Sequence, residues 1–231
     1  MTYATRFTAF LQAERQRYGL LLVAIVIVFA IQGISNPGKW EQVIVSIMLG
    51  GTLLLALWAG EVHARFMWAT LVLVVAVVAA SVVQATNGIV DGEATRITNG
   101  LLVFLAPPAI VRGVVRNLRA KQTVTLQAVF GVLCIYLLLG MLFAYVFGSI
   151  DKLGGSPFFA GGQPATVARC LYYSFTTMTT VGYGDLTAGT NLGHTLSVSE
   201  ALIGQIYLVT VVSMIVGNIS GGSRRGTNPS T

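Results

Sequence analysis

The chain has 231 residues, of which 55% are hydrophobic and only 10% are charged, and its formal net charge is +6. A soluble domain normally carries about a quarter charged residues, so the composition excludes an ordinary soluble protein and indicates a surface that faces lipid. The basic residues stand at the ends of apolar segments and form no continuous basic face, which argues against a nucleic-acid partner.

Six apolar segments reach or approach the length of about 20 residues that a helix needs to cross a bilayer. The predicted spans are Gly19 to Ser35, Gln42 to Gly60, Phe66 to Ala85, Thr98 to Arg112, Val124 to Gly148 and Thr195 to Gly217. The fourth is short and contains Pro107 and Pro108, where we expect a kink rather than a break. The sequence therefore predicts an all-α integral membrane protein with six transmembrane helices.

The first span also has basic residues before it, as a secretory signal peptide does. It is long for the apolar part of a signal peptide, and Ala30-Ile31-Gln32 is a poor match to a cleavage site. We therefore interpret it as a retained span.

Lysine and arginine are distributed unequally between the two sides of this arrangement. With a cytoplasmic N-terminus, Lys39, Arg96, Lys152 and Arg169 lie outside and the remainder of the 14 basic residues lie inside. The positive-inside rule then predicts that both termini are cytoplasmic, in a multi-pass protein of the plasma membrane.

Between the fifth and sixth spans the pattern changes. Ser149 to Pro164 is rich in glycine and proline and predicts a loop, and Ala165 to Met178 predicts a helix too short to span, with Thr166 as its cap. A short helix followed by glycine-containing backbone, between two spans, is typical of a re-entrant pore helix and loop. Such backbone is tolerated at membrane depth only where protein buries it or where it lines a water-filled cavity.

The stretch Thr180-Val181-Gly182-Tyr183-Gly184 follows this short helix. Backbone carbonyls can replace the water around a dehydrated K⁺ ion if successive carbonyls face one axis. Such a backbone needs left-handed dihedrals at intervals, and Gly182 and Gly184 adopt these without steric cost. The Thr180 hydroxyl can add a ligand at the inner end.

The run from Thr180 to Asp185 reads TVGYGD and resembles the filter signature of the potassium channel family. The resemblance implies that K⁺ is the permeant ion, held by the backbone carbonyls of Thr180, Val181, Gly182 and Tyr183, with no cofactor and no enzymatic activity. Since one loop cannot surround an ion, this interpretation requires three further copies of the chain, forming a homotetramer in the lipid bilayer.

The resemblance also implies roles for residues around the filter. Tyr172 and Tyr173 correspond to an aromatic pair that braces Tyr183, and Thr179 and Asp185 flank the filter as support. Gly204 corresponds to a gating hinge in the inner helix. The alternative for Gly204 is a close helix–helix contact, because small residues pack tightly in membranes.

Six spans also resemble the voltage-gated arrangement, with Arg112, Arg116 and Arg119 as candidate voltage-sensing residues. A working sensor needs several arginines at every third position and acidic partners on neighbouring spans. Here the basic residues cluster at the inner end, and the third span contains no acid. We expect weak or absent voltage dependence; the alternative is a voltage-gated channel with an atypical sensor.

The predicted organisation has five parts. They are a cytoplasmic N-terminus (1–18), a four-helix domain in the voltage-sensor position (19–116), a linker (117–123), a pore domain (124–220) and a flexible cytoplasmic tail (221–231).

Three other functions fit less well. A channel that also admits sodium would need a changed filter, such as an acid in place of Tyr183. A transporter or membrane sensor with an accidental motif would commonly show interrupted helices in two halves, and the interruption here occurs once. An enzyme would need an acid–base cluster, and His63 and His194 stand alone. Cys134 and Cys170 lie in apolar segments, which predicts small buried side chains.

Overall fold

The computed structural model describes the backbone of residues 3–34, 39–60, 64–87, 93–121 and 126–223. Within these ranges it describes most side chains of residues 17–115 and 127–213. Arg116 and Arg119, two of the predicted voltage-sensing side chains, lie outside the described side chains. His63 and residues 224–231 of the predicted tail lie outside the described residues altogether.

The regular secondary structure of the described chain is helical, with seven α-helices and one short 3₁₀ turn at Ala160–Gly162. The α-helices are, in order, α1 (Tyr3–Ile34), α2 (Lys39–Ala59), α3 (Ala64–Thr86), α4 (Glu93–Lys121), α5 (Leu126–Leu153), α6 (Val167–Met178) and α7 (Asn191–Ser223). No strand occurs in the described ranges, although an isolated antiparallel bridge joins Phe159 to Ala188 and ties the loops on either side of α6 together.

Five helices of the described part of the chain are long and apolar enough to cross a membrane. Their apolar segments are Arg17–Ile34, Gln42–Ala59, Arg65–Thr86, Ile97–Val115 and Gln127–Leu153. They confirm an all-α membrane protein and coincide with the first five predicted spans. The sixth predicted span lies within the continuous helix α7, whose side chains after Ser213 are outside the described set, and it stays a prediction.

Helix α4 continues through Pro107 and Pro108 without a break. Each proline removes one backbone donor from the helix. Two adjacent prolines remove donors from a single turn only, and the buried Ala106, Ala109 and Ile110 hold that turn against its neighbours. Helix α4 reaches Lys121, so the first residues of the predicted linker are helical.

Helices α1, α2 and α4 cross closely at one end of the bundle. A Cβ atom added to Gly113 would lie 2.1 Å from the Tyr18 hydroxyl oxygen and 2.9 Å from Gly60 Cα. The Tyr18 hydroxyl donates a hydrogen bond to the Ala59 carbonyl over 3.3 Å. Small residues therefore let three helices meet where larger ones would hold them apart.

Helix α3 is the least buried of the five candidate spans, with 17% of its segment buried. Large side chains on more than one of its faces are exposed, including Phe66, Trp68 and Val72. A helix that is apolar all round and mostly unpacked by protein is suited to lipid contact.

The interior of the four N-terminal helices contains a small, uncharged polar cluster. The Ser46 hydroxyl donates to Asn99 Oδ1 over 2.9 Å and lies 3.0 Å from the Ser81 hydroxyl. All three side chains are buried. The cluster links α2, α3 and α4 through neutral groups.

Helix α5 is the central element, because α1, α4, α6 and α7 all pack against it. Cys134 on α5 and Cys170 on α6 are both buried, which confirms their prediction as small buried side chains. The short helix α6 is thereby held between α5 and α7, with α1 behind it.

Candidate functional site

Helix α6 begins where the sequence predicts. Thr166 is its N-cap, and the Thr166 side chain accepts a hydrogen bond from the Arg169 backbone N–H over 3.3 Å. This cap satisfies one of the backbone donors left unpaired at a helix start. With 12 residues, α6 spans about 18 Å at 1.5 Å per residue and is too short to cross a membrane.

The backbone after α6 has a regular alternation. Thr180, Gly182 and Gly184 have φ values of 60°, 50° and 81°. Val181 and Tyr183, between them, are not among the positive-φ residues. An alternation of left-handed and ordinary residues turns successive carbonyls toward one side of the chain, whereas an ordinary strand points them to opposite sides.

The left-handed conformation of Thr180 is the part of this pattern that the sequence analysis did not predict. Glycine adopts it freely, so Gly182 and Gly184 were identifiable from residue type. A threonine with left-handed dihedrals is strained by about 1–2 kcal/mol. The residue type therefore gives no indication that Thr180 adopts this conformation. The two-residue spacing back from Gly184 through Gly182 was the available signal.

The last turn of α6 holds the start of this stretch by main-chain hydrogen bonds. The Thr179 N–H donates to the Phe175 carbonyl over 3.0 Å, and the Thr180 N–H donates to the Thr177 carbonyl over 3.0 Å. The Gly182 N–H donates to the Thr176 carbonyl over 3.1 Å. The position of these residues therefore follows the position of the C-terminal end of α6.

Tyr172, Tyr183 and Asp185 come together at the other end of the stretch. The rings of Tyr172 and Tyr183 are parallel within 7°, with centroids 6.2 Å apart. The Tyr172 hydroxyl donates to Asp185 Oδ1 over 3.1 Å. This hydrogen bond ties α6 to the residue that follows the alternating stretch.

Tyr173, the other member of the predicted aromatic pair, contacts different residues. Its hydroxyl lies 2.7 Å from the Ser197 hydroxyl of α7. Its ring makes edge contacts, at 5.4–5.8 Å, with Phe147, Phe158 and Phe159. Of the pair, Tyr172 stacks on Tyr183, whereas Tyr173 anchors α6 to α5, α7 and the preceding loop.

Gly204 lies against the end of α6. A Cβ atom at Gly204 would lie 2.5 Å from Met178 Cγ and 3.0 Å from the Met178 carbonyl oxygen. Gly140 of α5 faces the same end from the opposite side, where a Cβ would lie 2.9 Å from Met178 Cε and 2.8 Å from Phe175 Cζ. Two glycines thus allow the fully buried Met178 to fit between α5 and α7.

The filter stretch itself is exposed in the single chain. Val181 is 51% and Tyr183 is 71% exposed. Apolar side chains of α7 are also exposed, among them Leu202, Ile206 and Val209. No group of three or more metal-ligating side chains occurs in the described residues.

The candidate voltage-sensing residues are not part of this site. Arg112 is exposed near the C-terminal end of the fourth candidate span, and the side chains of Arg116 and Arg119 lie outside those that the structure describes. The structure brings Tyr172, Thr179 to Asp185 and Gly204 together around α6.

Residues 131–220 match a family model described as ion channel. The match runs from α5 through α6 and the alternating stretch into α7, and it supports an ion channel protein of the membrane. No curated protein matches the chain.

Proposed function

We propose that this chain is one subunit of a potassium-selective channel, a homotetramer that conducts K⁺ passively across the membrane. The observation that carries the proposal is the left-handed backbone at Thr180, Gly182 and Gly184, directly after a short helix. The ion channel match over the same residues supports it.

The alternation suits K⁺ because of what the ion loses in a narrow pore. A dehydrated K⁺ needs oxygen ligands on all sides, and carbonyls that face one axis can supply them in successive rings. The Thr180 hydroxyl can add an oxygen at the inner end. The C-terminal end of α6 carries a partial negative charge, which favours a cation nearby.

Exposed surfaces of the single chain support assembly. One loop cannot surround an ion, and every residue from 179 to 185 is exposed. Irregular backbone of this kind is tolerated at membrane depth only where protein buries it or where it lines a water-filled cavity. Four copies around one axis would place the four filter stretches together and cover the sides of α7, as closed symmetric assemblies do.

The ends of the helices support the proposed orientation. The Arg17 guanidinium lies 4.4 Å from the centre of the Trp58 ring, at the end of the bundle where α1, α2 and α4 cross. Arg65, at the start of α3, and Arg112, in the C-terminal half of α4, lie at this end of the bundle as well. Tryptophan and arginine are typical of a membrane–water interface, and we assign this end, with both termini, to the cytoplasm of a plasma-membrane protein.

The neutral interior of the four N-terminal helices supports weak or absent voltage dependence. A voltage sensor moves several charges through the field, each worth about 2.3 kcal/mol per 100 mV. The buried polar cluster of Ser46, Ser81 and Asn99 offers no charge to pair with a moving arginine.

Flux through purified protein in liposomes tests this proposal. Vesicles loaded with K⁺ and diluted into a K⁺-poor buffer should take up protons through a protonophore as K⁺ leaves, and the same assay with Na⁺ should show little uptake. Protein-free vesicles are the control. Equal flux of the two ions would contradict potassium selectivity, and no flux of either would contradict the channel.

A further inference from the structure

Glu200 is a carboxyl group in an unusual place. It lies on α7, within the predicted sixth span and one helical turn before Gly204, and its exposed fraction is 0%. Burying a carboxyl group away from water is costly unless other groups satisfy it. The filter chemistry described above makes no use of it.

Glu200 contacts the filter helix through a single hydroxyl group. The Ser174 hydroxyl of α6 is hydrogen-bonded to Glu200 Oε1 and also lies 2.7 Å from the Gly140 carbonyl oxygen of α5. Ser174 is fully buried as well. These bonds join α7, α6 and α5 at one point.

The number of hydrogen atoms available for donation indicates the protonation state of Glu200 at this junction. The Gly140 carbonyl can only accept, and the Ser174 hydroxyl has one hydrogen to donate. Both contacts are satisfied when Ser174 donates to Gly140 and a neutral Glu200 donates to Ser174. Glu200 Oε2 has no hydrogen-bond partner, and Tyr136 of α5, whose hydroxyl also has none, is the titratable group that faces it.

The junction lies close to the bonds that hold the filter stretch. Ser174 stands two and three residues before Thr176 and Thr177, whose carbonyls accept the N–H groups of Gly182 and Thr180. One turn further along, Met178 is packed between Gly140 and Gly204. A tilt of α6 at Ser174 would therefore move the carbonyl groups of the filter.

We propose, on the basis of the proposed function, that Glu200 is a positioning residue for ion selectivity, which acts through Ser174 to hold α6 between α5 and α7. Its role is a hydrogen bond and not a charge. The protein would use a buried neutral carboxyl on the inner helix to set the geometry of the filter from behind.

Four variants test this role, each reconstituted in liposomes, with the K⁺-to-Na⁺ permeability ratio as the measurement. Glu200→Ala and Ser174→Ala should each lower the ratio at least about tenfold. Glu200→Gln should stay within about twofold of the unmodified protein, because an amide can also donate to Ser174. Ser199→Ala is the matched control, because the Ser199 hydroxyl donates only to the Thr195 carbonyl of its own helix; its ratio should not change.

The double variant Glu200→Ala with Ser174→Ala should lower the ratio no further than either single variant, because both changes remove the same link. An unchanged ratio in Ser174→Ala and Glu200→Ala would overturn the proposal. A large loss in Glu200→Gln would overturn the neutral role and assign the effect to charge. If Glu200→Ala does not assemble, the permeability ratios of Ser174→Ala and Glu200→Gln still test the proposal.

Failure of this inference is distinguishable from failure of the proposed function. If the unmodified protein conducts K⁺ selectively while the variants match it, only the role of Glu200 is wrong. If the unmodified protein shows no selectivity, the proposed function itself is wrong.

Discussion

Thr180, Gly182 and Gly184 show how single residues set the backbone of the proposed filter. The two glycines pay no steric cost for a positive φ, whereas Thr180 adopts it under strain. Strained residues persist where the surroundings over-determine them and often lie at functional sites. Here the N–H of Thr180 is bonded to the Thr177 carbonyl, which holds the residue in place.

At Gly184 we predict that substitution by alanine removes K⁺ flux. The φ of 81° is unfavourable for any residue with a Cβ, so the backbone would relax and the carbonyls would turn. No atom lies within 4 Å of the added Cβ, so the effect would come from the dihedral and not from a clash. The measurement is liposome flux, with tetramer formation checked by size.

The matched control is Gly51→Ala. Gly51 lies within α2, has an ordinary φ, and also has no atom within 4 Å of an added Cβ. It should keep normal flux. Normal flux through Gly184→Ala would count against the assigned filter geometry.

We predict that Tyr172→Phe weakens the outer end of the filter without abolishing conduction. The ring can still stack on Tyr183, but the hydrogen bond to Asp185 is lost, and such a bond contributes about 0.5–1.5 kcal/mol. The K⁺-to-Na⁺ permeability ratio should fall by several-fold.

Tyr173→Phe distinguishes the two tyrosines. It removes the hydroxyl that contacts Ser197 and should affect thermal stability more than selectivity. A larger loss of selectivity in Tyr173→Phe than in Tyr172→Phe would contradict the roles assigned here.

At the scale of elements, helix α6 is positioned from both sides by close contacts. Gly140 on α5 and Gly204 on α7 let Phe175 and Met178 approach the neighbouring backbones. The same absence of a side chain that permits this contact also weakens a helix, so Gly204 remains open to both interpretations, the hinge and the contact. In the structure, the residue that Gly204 contacts is Met178.

A double-mutant cycle separates these two interpretations of Gly204. Gly204→Ala should lower the stability of the assembled protein by about 1–3 kcal/mol through overpacking. If contact with the Met178 side chain is the cause, Gly204→Ala should cost much less in a Met178→Ala background than in the unmodified protein, because the Cγ atom is then absent. Thermal unfolding of the tetramer measures both, and flux measures gating.

The opposite result favours the hinge. If Gly204→Ala leaves stability unchanged but lowers the fraction of open channels, and Met178→Ala does not restore it, the flexibility of the helix is what matters. Loss of stability that is the same in both backgrounds would assign the contact to the Met178 carbonyl oxygen and not to its side chain.

At the scale of the whole molecule, the exposed filter stretch makes the single chain incomplete, because one loop cannot surround an ion. We predict that the protein purified in mild detergent has the mass of four 24.5 kDa chains. Native mass spectrometry measures this directly. A stable monomer that still conducts K⁺ would contradict the proposed assembly.

The N-terminal helices lead to a second prediction at this scale. Because the buried polar cluster is uncharged, the conductance should vary little between strongly negative and strongly positive potentials. Planar-bilayer recording tests it. A steep conductance–voltage curve that disappears when Arg112 and Arg116 are both neutralised would show that the atypical sensor works.

Much of this protein could be read from local features of the chain. The five confirmed candidate spans follow from length and hydropathy, because a helix must be long and apolar to cross lipid. The start of α6 follows from Pro164 and the cap at Thr166, and the left-handed glycines follow from residue type. Each of these depends only on a residue and its near neighbours in the chain.

Other features depended on which distant segments meet. Three such features join residues from different helices. They are the contact of Tyr173 with Ser197, the fit of Met178 between Gly140 and Gly204, and the junction of Glu200 with Ser174. The distances between helices are set by packing of whole faces, which no local pattern encodes. The amino-acid order was therefore sufficient for the spans and the filter glycines, whereas the support behind the filter emerged only from the packing of α5, α6 and α7.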